Sequence, residues 1–211
     1  MFLVSCEIIL TKTKAVALEG VDDPVARRIV AAAREHFLGH GFRAVTMDDL
    51  AAEMGMSKKT LYVHFHNKRE LLEAVIAAKT GDFGKDMDAV KAERREEFAD
   101  TLQRLLECMA KHAGEISPSF LRDLAKEDAA LIAMIKCRRR EVIGRTFGRI
   151  LTVGQKAKAI RKDLSADFMV EVLLGIADTV ATPESVSEKG IRPAELLANI
   201  LKIFLGGIQT K

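Results

Sequence analysis

Apolar residues recur at helical spacing along nearly the whole chain, with no convincing run of the strict alternation that marks a half-buried strand. Val25, Ile29, Ala33 and Phe37 form one stripe, one side chain per turn. Leu71, Leu72, Val75 and Ile76 form a second, and Phe98, Leu102, Leu105 and Met109 a third. This pattern predicts an all-α fold. At 211 residues the chain is long enough for one large domain or two small ones. Its apolar runs break within about ten residues, short of the roughly 20 needed to span a bilayer. No membrane segment is expected.

The breaks between stripes place the helices. Asp22-Asp23-Pro24 opens the first, because a carboxylate caps free N–H groups and proline suits the first turn. Gly39-His40-Gly41 ends it. Thr46 caps a short helix whose first turn carries Asp48 and Asp49, where negative charge suits the helix dipole. Met54-Gly55-Met56 is a tight turn, and Ser57 caps a further helix from Lys58 to about Phe65. Helix, short turn with a glycine, helix is the helix-turn-helix arrangement. A fourth helix is expected from about Lys68 to Lys79, with a bend at Gly81 and Gly84.

The remainder predicts helices throughout. One ends near Gly114, and Ser117-Pro118 starts the next. Asp128 caps a long one through Val142 and Ile150 to Gly154. Ser165 and Asp167 open another, Thr182 to Gly190 is a loop, and Pro193 opens the last helix. Residues 1–21 form an N-terminal extension, expected to be flexible. Its apolar start contains Glu7, and Lys12 and Lys14 follow the apolar stretch rather than precede it, unlike a secretory signal.

Lys and Arg number 33 against 30 Asp and Glu, a net charge of +3, so any nucleic-acid site must be built from local charge. Residues 57–69 supply it: Lys58, Lys59, Lys68 and Arg69, with no acid among them. The three cysteines, Cys6, Cys108 and Cys137, are odd in number and widely spaced, which points to a reducing cytoplasm. His36 and His40 lie one turn apart, but no third ligand has a supporting spacing; they read as a surface pair. Glu171 and Asp178 share a helical face and read as its polar edge rather than as an acid/base pair. Ser117 lacks a His-Asp set, and there is no phosphate-cradling glycine loop. No catalytic activity, metal or cofactor is expected.

The window from Thr46 to Leu72, TMDDLAAEMGMSKKTLYVHFHNKRELL, resembles the N-terminal DNA-binding domain of the TetR family of transcriptional regulators. The resemblance rests on Phe37 and Gly41-Phe42, then Thr46, Leu50-Ala51, Gly55 and Ser57. Thr60-Leu61-Tyr62, Phe65, Asn67-Lys68 and Leu71-Leu72 complete it. It implies a three-helix helix-turn-helix DNA-binding domain over 22–80, and a helical effector-binding and dimerisation domain over 81–211. It also implies roles within the window. Thr46, Tyr62 and Lys68 would contact phosphates, with Ser57 and Thr60 at the N-terminal end of the reading helix. Lys58, Lys59, Val63 and His64 would face base edges, and Leu61 and Phe65 would be core. Lys59 and Val63 depart from the commonest family pattern.

The last two helices are apolar over more than one stripe: 196, 200 and 204 form one row, and 197, 201 and 205 the next. A helix on a monomer's surface needs an apolar stripe only about 100° wide. The resemblance implies a four-helix dimer interface here, with Phe168, Val172, Ile176, Leu197, Leu201 and Leu205 as its candidates. It also implies a ligand pocket in the middle helices, for which Met87, Leu102, Met109, Phe120, Leu124, Met134 and Phe147 are the candidate lining. The expected partners are double-stranded DNA with a palindromic operator, a second copy of the chain and a small-molecule effector of unknown identity. The expected function is that of a homodimeric repressor released from its operator by that ligand. A DNA-bound protein that answers to a protein partner is the alternative.

Overall fold

Asp23 shows at the first described residue how local chemistry sets this fold. Its carboxylate accepts the Val25 N–H at 2.9 Å, Pro24 follows, and helix α1 (Pro24–His40) begins. The computed structural model describes residues 23–90, 98–127, 129–180 and 190–209. The expectations for residues 1–21, for Asp128 as a cap and for the 182–189 loop lie outside the described residues. The described residues form α1, α2 (Met47–Glu53), α3 (Lys58–His64), α4 (Lys68–Ala89) and α5 (Phe98–Gly114). Then come α6 (Pro118–Leu124), α7 (Ala129–Lys156), α8 (Ala166–Val180) and α9 (Pro193–Ile208). Among them no strand is present beyond one isolated bridge between Ile160 and Gln209. The protein is all-α.

The chain divides into two units. The first takes residues 23–81 and also 119–137. Ala26, Ile29, Ala33 and Phe37 of α1 bury one face against Leu50, Ala51 and Leu61 of α2 and α3. Fully burying one such side chain is worth roughly 1.5–3 kcal/mol, and short helices such as α2 and α3 depend on that packing. Gly41 ends α1 at φ 93°, a conformation that side chains rarely adopt. A Cβ there would lie 2.7 Å from Asp123 Oδ2 and 3.2 Å from Ser119 Cβ. The glycine therefore lets α6 close against the end of α1. Asp123 then accepts the Arg43 N–H at 2.9 Å, and Glu127 pairs with Arg69 at 2.7 Å. The first unit thus gathers 119–137 beside the helix-turn-helix segment, and these long-range contacts tie the two stretches together.

The second unit takes 82–118 and residues from 138 on. Helix α9 packs on α5 and on α8, and Phe204 meets Phe147 edge-on at 6.4 Å between ring centres. Arg161 fastens the end of α9: its N–H donates to the Ile208 carbonyl at 3.0 Å, and its side chain pairs with Asp163 and reaches the Gly207 carbonyl. At Gly81 and Gly84, where a bend was expected, the helix continues. Helix α4 runs through both to Ala89. A glycine inside a helix costs only about 1 kcal/mol relative to alanine. Buried Met87 anchors the later turns.

Candidate nucleic-acid interface

Each element of the Thr46–Leu72 window is started by its own side chains. Thr46 and Asp49 form a capping box. Thr46 Oγ1 accepts the Asp49 N–H at 3.1 Å, while Asp49 Oδ2 accepts the Thr46 N–H at 3.0 Å and its hydroxyl at 2.6 Å. Those bonds to the ionised form hold the Asp49 carboxyl below its usual range. Gly55, at φ 64°, makes the turn that side chains resist. Ser57 Oγ accepts the Thr60 N–H at 3.0 Å and shares a second hydrogen bond with the Thr60 hydroxyl. Asn67 accepts the Glu70 N–H at 2.8 Å and starts α4.

Burial then sorts α3 into two sides. Leu61 is fully buried and Phe65 nearly so, as the sequence predicted. Lys58, Lys59, Thr60, Tyr62 and Val63 are exposed, with Tyr62 at 44% and Val63 at 66%. An aromatic and an aliphatic side chain therefore stand in solvent beside two lysines and two hydroxyls. Thr46 and Ser57 are also exposed.

Three candidates sit differently. His64 Nδ1 lies 2.9 Å from Asp23 Oδ2 with only 19% of the side chain exposed, so it braces the start of α1 rather than joining Tyr62 and Val63 in solvent. The physical reason is an acid 41 residues earlier that no local spacing announces. Lys68 is half-buried. Its ammonium donates to the Arg43 carbonyl at 3.2 Å and lies 5.2 Å from the centre of the Phe42 ring, and desolvation pulls its pKa down. Lys58 is exposed but paired: its ammonium is 2.5 Å from Asp48 Oδ2, which raises the lysine pKa. Of the four local cations, Arg69 is turned inward to Glu73 and Glu127. The Asp48 grip and the Arg69–Glu127 pair escaped sequence reasoning, and only the first had a signal, an acid in the neighbouring helix's first turn.

The other candidates fall as follows. His36 stacks on His40 and pairs with Glu53 at 2.7 Å, a surface arrangement. Glu171 and Asp178 form ion pairs with Arg139 and Arg140. Of the seven expected pocket residues, Phe120, Leu124 and Met134 belong to the first unit, and Met87, Leu102, Met109 and Phe147 to the second. Six of the seven are buried, and Leu124 is half-buried. The second unit instead carries a groove of about 540 Å³ lined by Leu106 and Ala110 of α5 and by Leu197, Leu201 and Leu205 of α9. Leu201 and Leu205 are buried within the chain, so they are not part of an outward row; Phe168, Val172 and Ile203 are the exposed ones. Ile203, at 77%, was missed because the Leu196/Ile200/Phe204 and Leu197/Leu201/Leu205 rows carry the stronger periodic signal.

A capped helix pair with a tight glycine turn, presenting lysines, hydroxyls and a tyrosine from its second helix, defines the class of helix-turn-helix DNA-binding regulators. The sequence pattern of "Bacterial regulatory proteins, tetR family" matches residues 29–75, the segment from α1 to the first turns of α4. The uncharacterised HTH-type transcriptional regulator YvaF of Bacillus subtilis is 26% identical over 186 residues, covering 86% of this chain and 94% of its own length. TtgW, an uncharacterised HTH-type transcriptional regulator of Pseudomonas putida, is 30% identical over 94 residues, covering 36% of this chain and 70% of its own. Among solved structures, the complex of SmeT with triclosan superposes with a TM-score of 0.64 at 17% identity, over 90% of this chain and 93% of that one. SmeT is the repressor of the Stenotrophomonas maltophilia multidrug efflux pump SmeDEF. The chain belongs to the TetR family of bacterial regulatory proteins and is a DNA-binding transcriptional regulator. No helix among the described residues is long and apolar enough to cross a membrane.

Proposed function

We propose that the protein is a homodimeric cytoplasmic repressor without catalytic activity, released from a palindromic operator by a small molecule. One observation carries the reading. The large apolar side chains exposed among the described residues fall in two places: Tyr62 and Val63 on α3, and Phe168, Val172 and Ile203 on α8 and α9. The first group stands among cations and suits a polyanion with base edges; the second lies on the two most apolar helices and suits a second copy. Lys58, Lys59 and Val63 read base edges in the major groove, while Thr46, Ser57, Thr60, Tyr62 and Lys68 meet phosphates. His64 acts indirectly, by bracing α3 through Asp23. Phe168, Val172 and Ile176 form the two-fold interface together with Ile203, with Leu197 at the edge of the neighbouring groove.

The effector is seated in the α5–α9 groove, whose volume lies within the roughly 300–1,000 Å³ of small-molecule sites. Glu107, Lys202 and Gln209 supply the polar groups along its lining. SmeT, a repressor solved with triclosan, supports the small-molecule reading. The test is selection of bound sites from random DNA, with the protein's mass on DNA measured by light scattering. Two half-sites in inverted repeat, occupied by an even number of chains, are expected. A single unrepeated site bound by one chain overturns the dimer.

A further inference from the structure

The second unit holds a cluster of side chains that neither DNA binding nor dimerisation uses. Asp86 stands in the last turns of α4, and Cys108 and His112 stand one turn apart on one face of α5. One ligand atom from each, a carboxylate oxygen, the thiol sulfur and a ring nitrogen, lies within 4.8 Å of the other two. His112 Nε2 meets Asp86 Oδ2 at 2.9 Å. The His112 ring is buried at 5% exposure, with Phe83 edge-on to it at 5.1 Å, so its plane is fixed. Its other nitrogen, Nδ1, faces Glu115 Oε1 at 4.0 Å. Once that gap closes to a hydrogen bond, the carboxylate sets which nitrogen carries the proton and leaves the opposite one to coordinate. Asp86 and Cys108 are half-buried, which leaves a way in from solvent.

We propose that Asp86, Cys108 and His112 form a binding site for a divalent transition-metal ion of the zinc class, with Glu115 orienting His112. The donor set selects the ion. A thiolate and an imidazole exclude magnesium and calcium, which take oxygen ligands, and one sulfur is too few for an iron–sulfur cluster. Zinc bonds of roughly 2.0–2.3 Å put tetrahedral ligand atoms about 3.3–3.5 Å apart, so the three groups need to close in by no more than about 1.5 Å. On binding, the Cys108 proton leaves to solvent, the sulfur bonds to the metal, and the His112–Asp86 hydrogen bond gives way to two metal bonds. Three protein ligands leave a fourth position for water or an exogenous group. A cation already stands at the carboxylate: Lys111 Nζ lies 3.0 Å from Asp86 Oδ2. Its side chain is 66% exposed, so it can swing away. This site goes beyond the repressor reading and does not depend on it.

The test uses the reduced, chelator-stripped full-length chain without DNA, with Co²⁺ as the probe and Zn²⁺ as the competitor. The expected result is one Co²⁺ per chain, a thiolate-to-cobalt charge-transfer band in the near ultraviolet, and displacement by Zn²⁺. Cys108→Ser removes the band and weakens binding about 100-fold or more, while Glu115→Gln weakens it roughly tenfold. Lys111→Ala removes a competing cation and tightens binding severalfold, which a purely structural role for the cluster does not produce. Circular dichroism accompanies each variant. If Cys108→Ser fails to fold, the exposed-side changes Lys111→Ala and Glu115→Gln decide by their opposite effects. A wild-type chain without the thiolate band, a band that survives in folded Cys108→Ser, or unchanged affinity in Lys111→Ala overturns the proposal. DNA plays no part in the measurement, so its outcome is independent of the operator selection described above.

Discussion

The α3 surface and the α8–α9 surface both leave large apolar side chains in solvent, yet the residues around them differ in kind. Around Tyr62 and Val63 stand Lys58, Lys59 and hydroxyls, on a helix of seven residues whose start is capped by Ser57. Around Phe168 and Val172 stand mainly apolar neighbours, and of the three acids on that helix Glu171 and Asp178 are tied to Arg140 and Arg139, with Asp167 exposed in its first turn. A surface of exposed lysines and hydroxyls suits phosphate, while a mainly apolar one loses little by meeting a copy of itself. Exposure alone therefore does not name the partner; the polar and charged groups beside it do.

The largest test separates Ile203 from Leu201, two neighbours on α9 with opposite environments. Ile203→Glu places a charge on the proposed two-fold, where it is unpaired and desolvated in the dimer but hydrated in the single chain. The expected result is a monomer by sedimentation, an unchanged helical signal, and operator affinity lower by roughly 10²–10⁴, the range in which linked sites lose avidity. Leu201→Glu buries its charge inside the chain, where Leu201 is 4% exposed. It should destabilise the second unit by about 4 kcal/mol and reduce the helical signal before dimerisation is reached. If the two variants behave alike, the α8–α9 side of the comparison fails.

Lys58→Ala is the sharper test of the α3 side. It should relax preference at one or two base pairs per half-site, at roughly 1–3 kcal/mol for each lost bidentate contact. Binding-site selection with the variant reads this directly; equal loss on every sequence would move Lys58 to the phosphates. Tyr62→Phe asks less. Removal of one exposed hydroxyl should weaken binding on all sequences by about 1 kcal/mol without changing the melting temperature. A melting shift would mean that the hydroxyl supports the fold.

How much of this was legible in the sequence follows the same division. Caps act across two or three residues, so Asp23, Thr46, Ser57 and the Gly55 turn could be read from spacing alone, and with them the helix-turn-helix. Burial of Leu61 and Phe65 was implied by the resemblance of this window to the family pattern. What stayed hidden depends on distant partners. Asp23 turns His64 inward, Glu127 occupies Arg69, and Asp123 draws 119–137 into the first unit. On α9 two adjacent apolar rows carry equal periodic weight, and only the packing of α5 and α8 against one side leaves Ile203 in solvent. Likewise Gly81 and Gly84 carry a local preference too weak to outweigh packing in α4.

The smallest expected effect concerns the cap of α2, where the local chemistry of the first unit can be measured against acid. The Asp49 carboxylate accepts both the N–H and the hydroxyl of Thr46, and its pKa in the folded chain is lowered chiefly by those bonds. Because the folded value lies below the unfolded one, the cap stabilises fully above the ordinary carboxylate pKa of about 3.9 and is lost as pH falls through the folded value. Asp163, paired with Arg161, is lowered in the same direction, so the wild-type chain loses stability in acid from more than one place. The difference between proteins isolates the cap. Asp49→Asn should melt slightly below wild type at pH 7 and lose less between pH 5 and pH 3, since its amide oxygen accepts a hydrogen bond without titrating. Melting curves at the two pH values check this. An Asp49→Asn chain as acid-sensitive as wild type would show that Thr46 caps α2 without help from the carboxylate's charge.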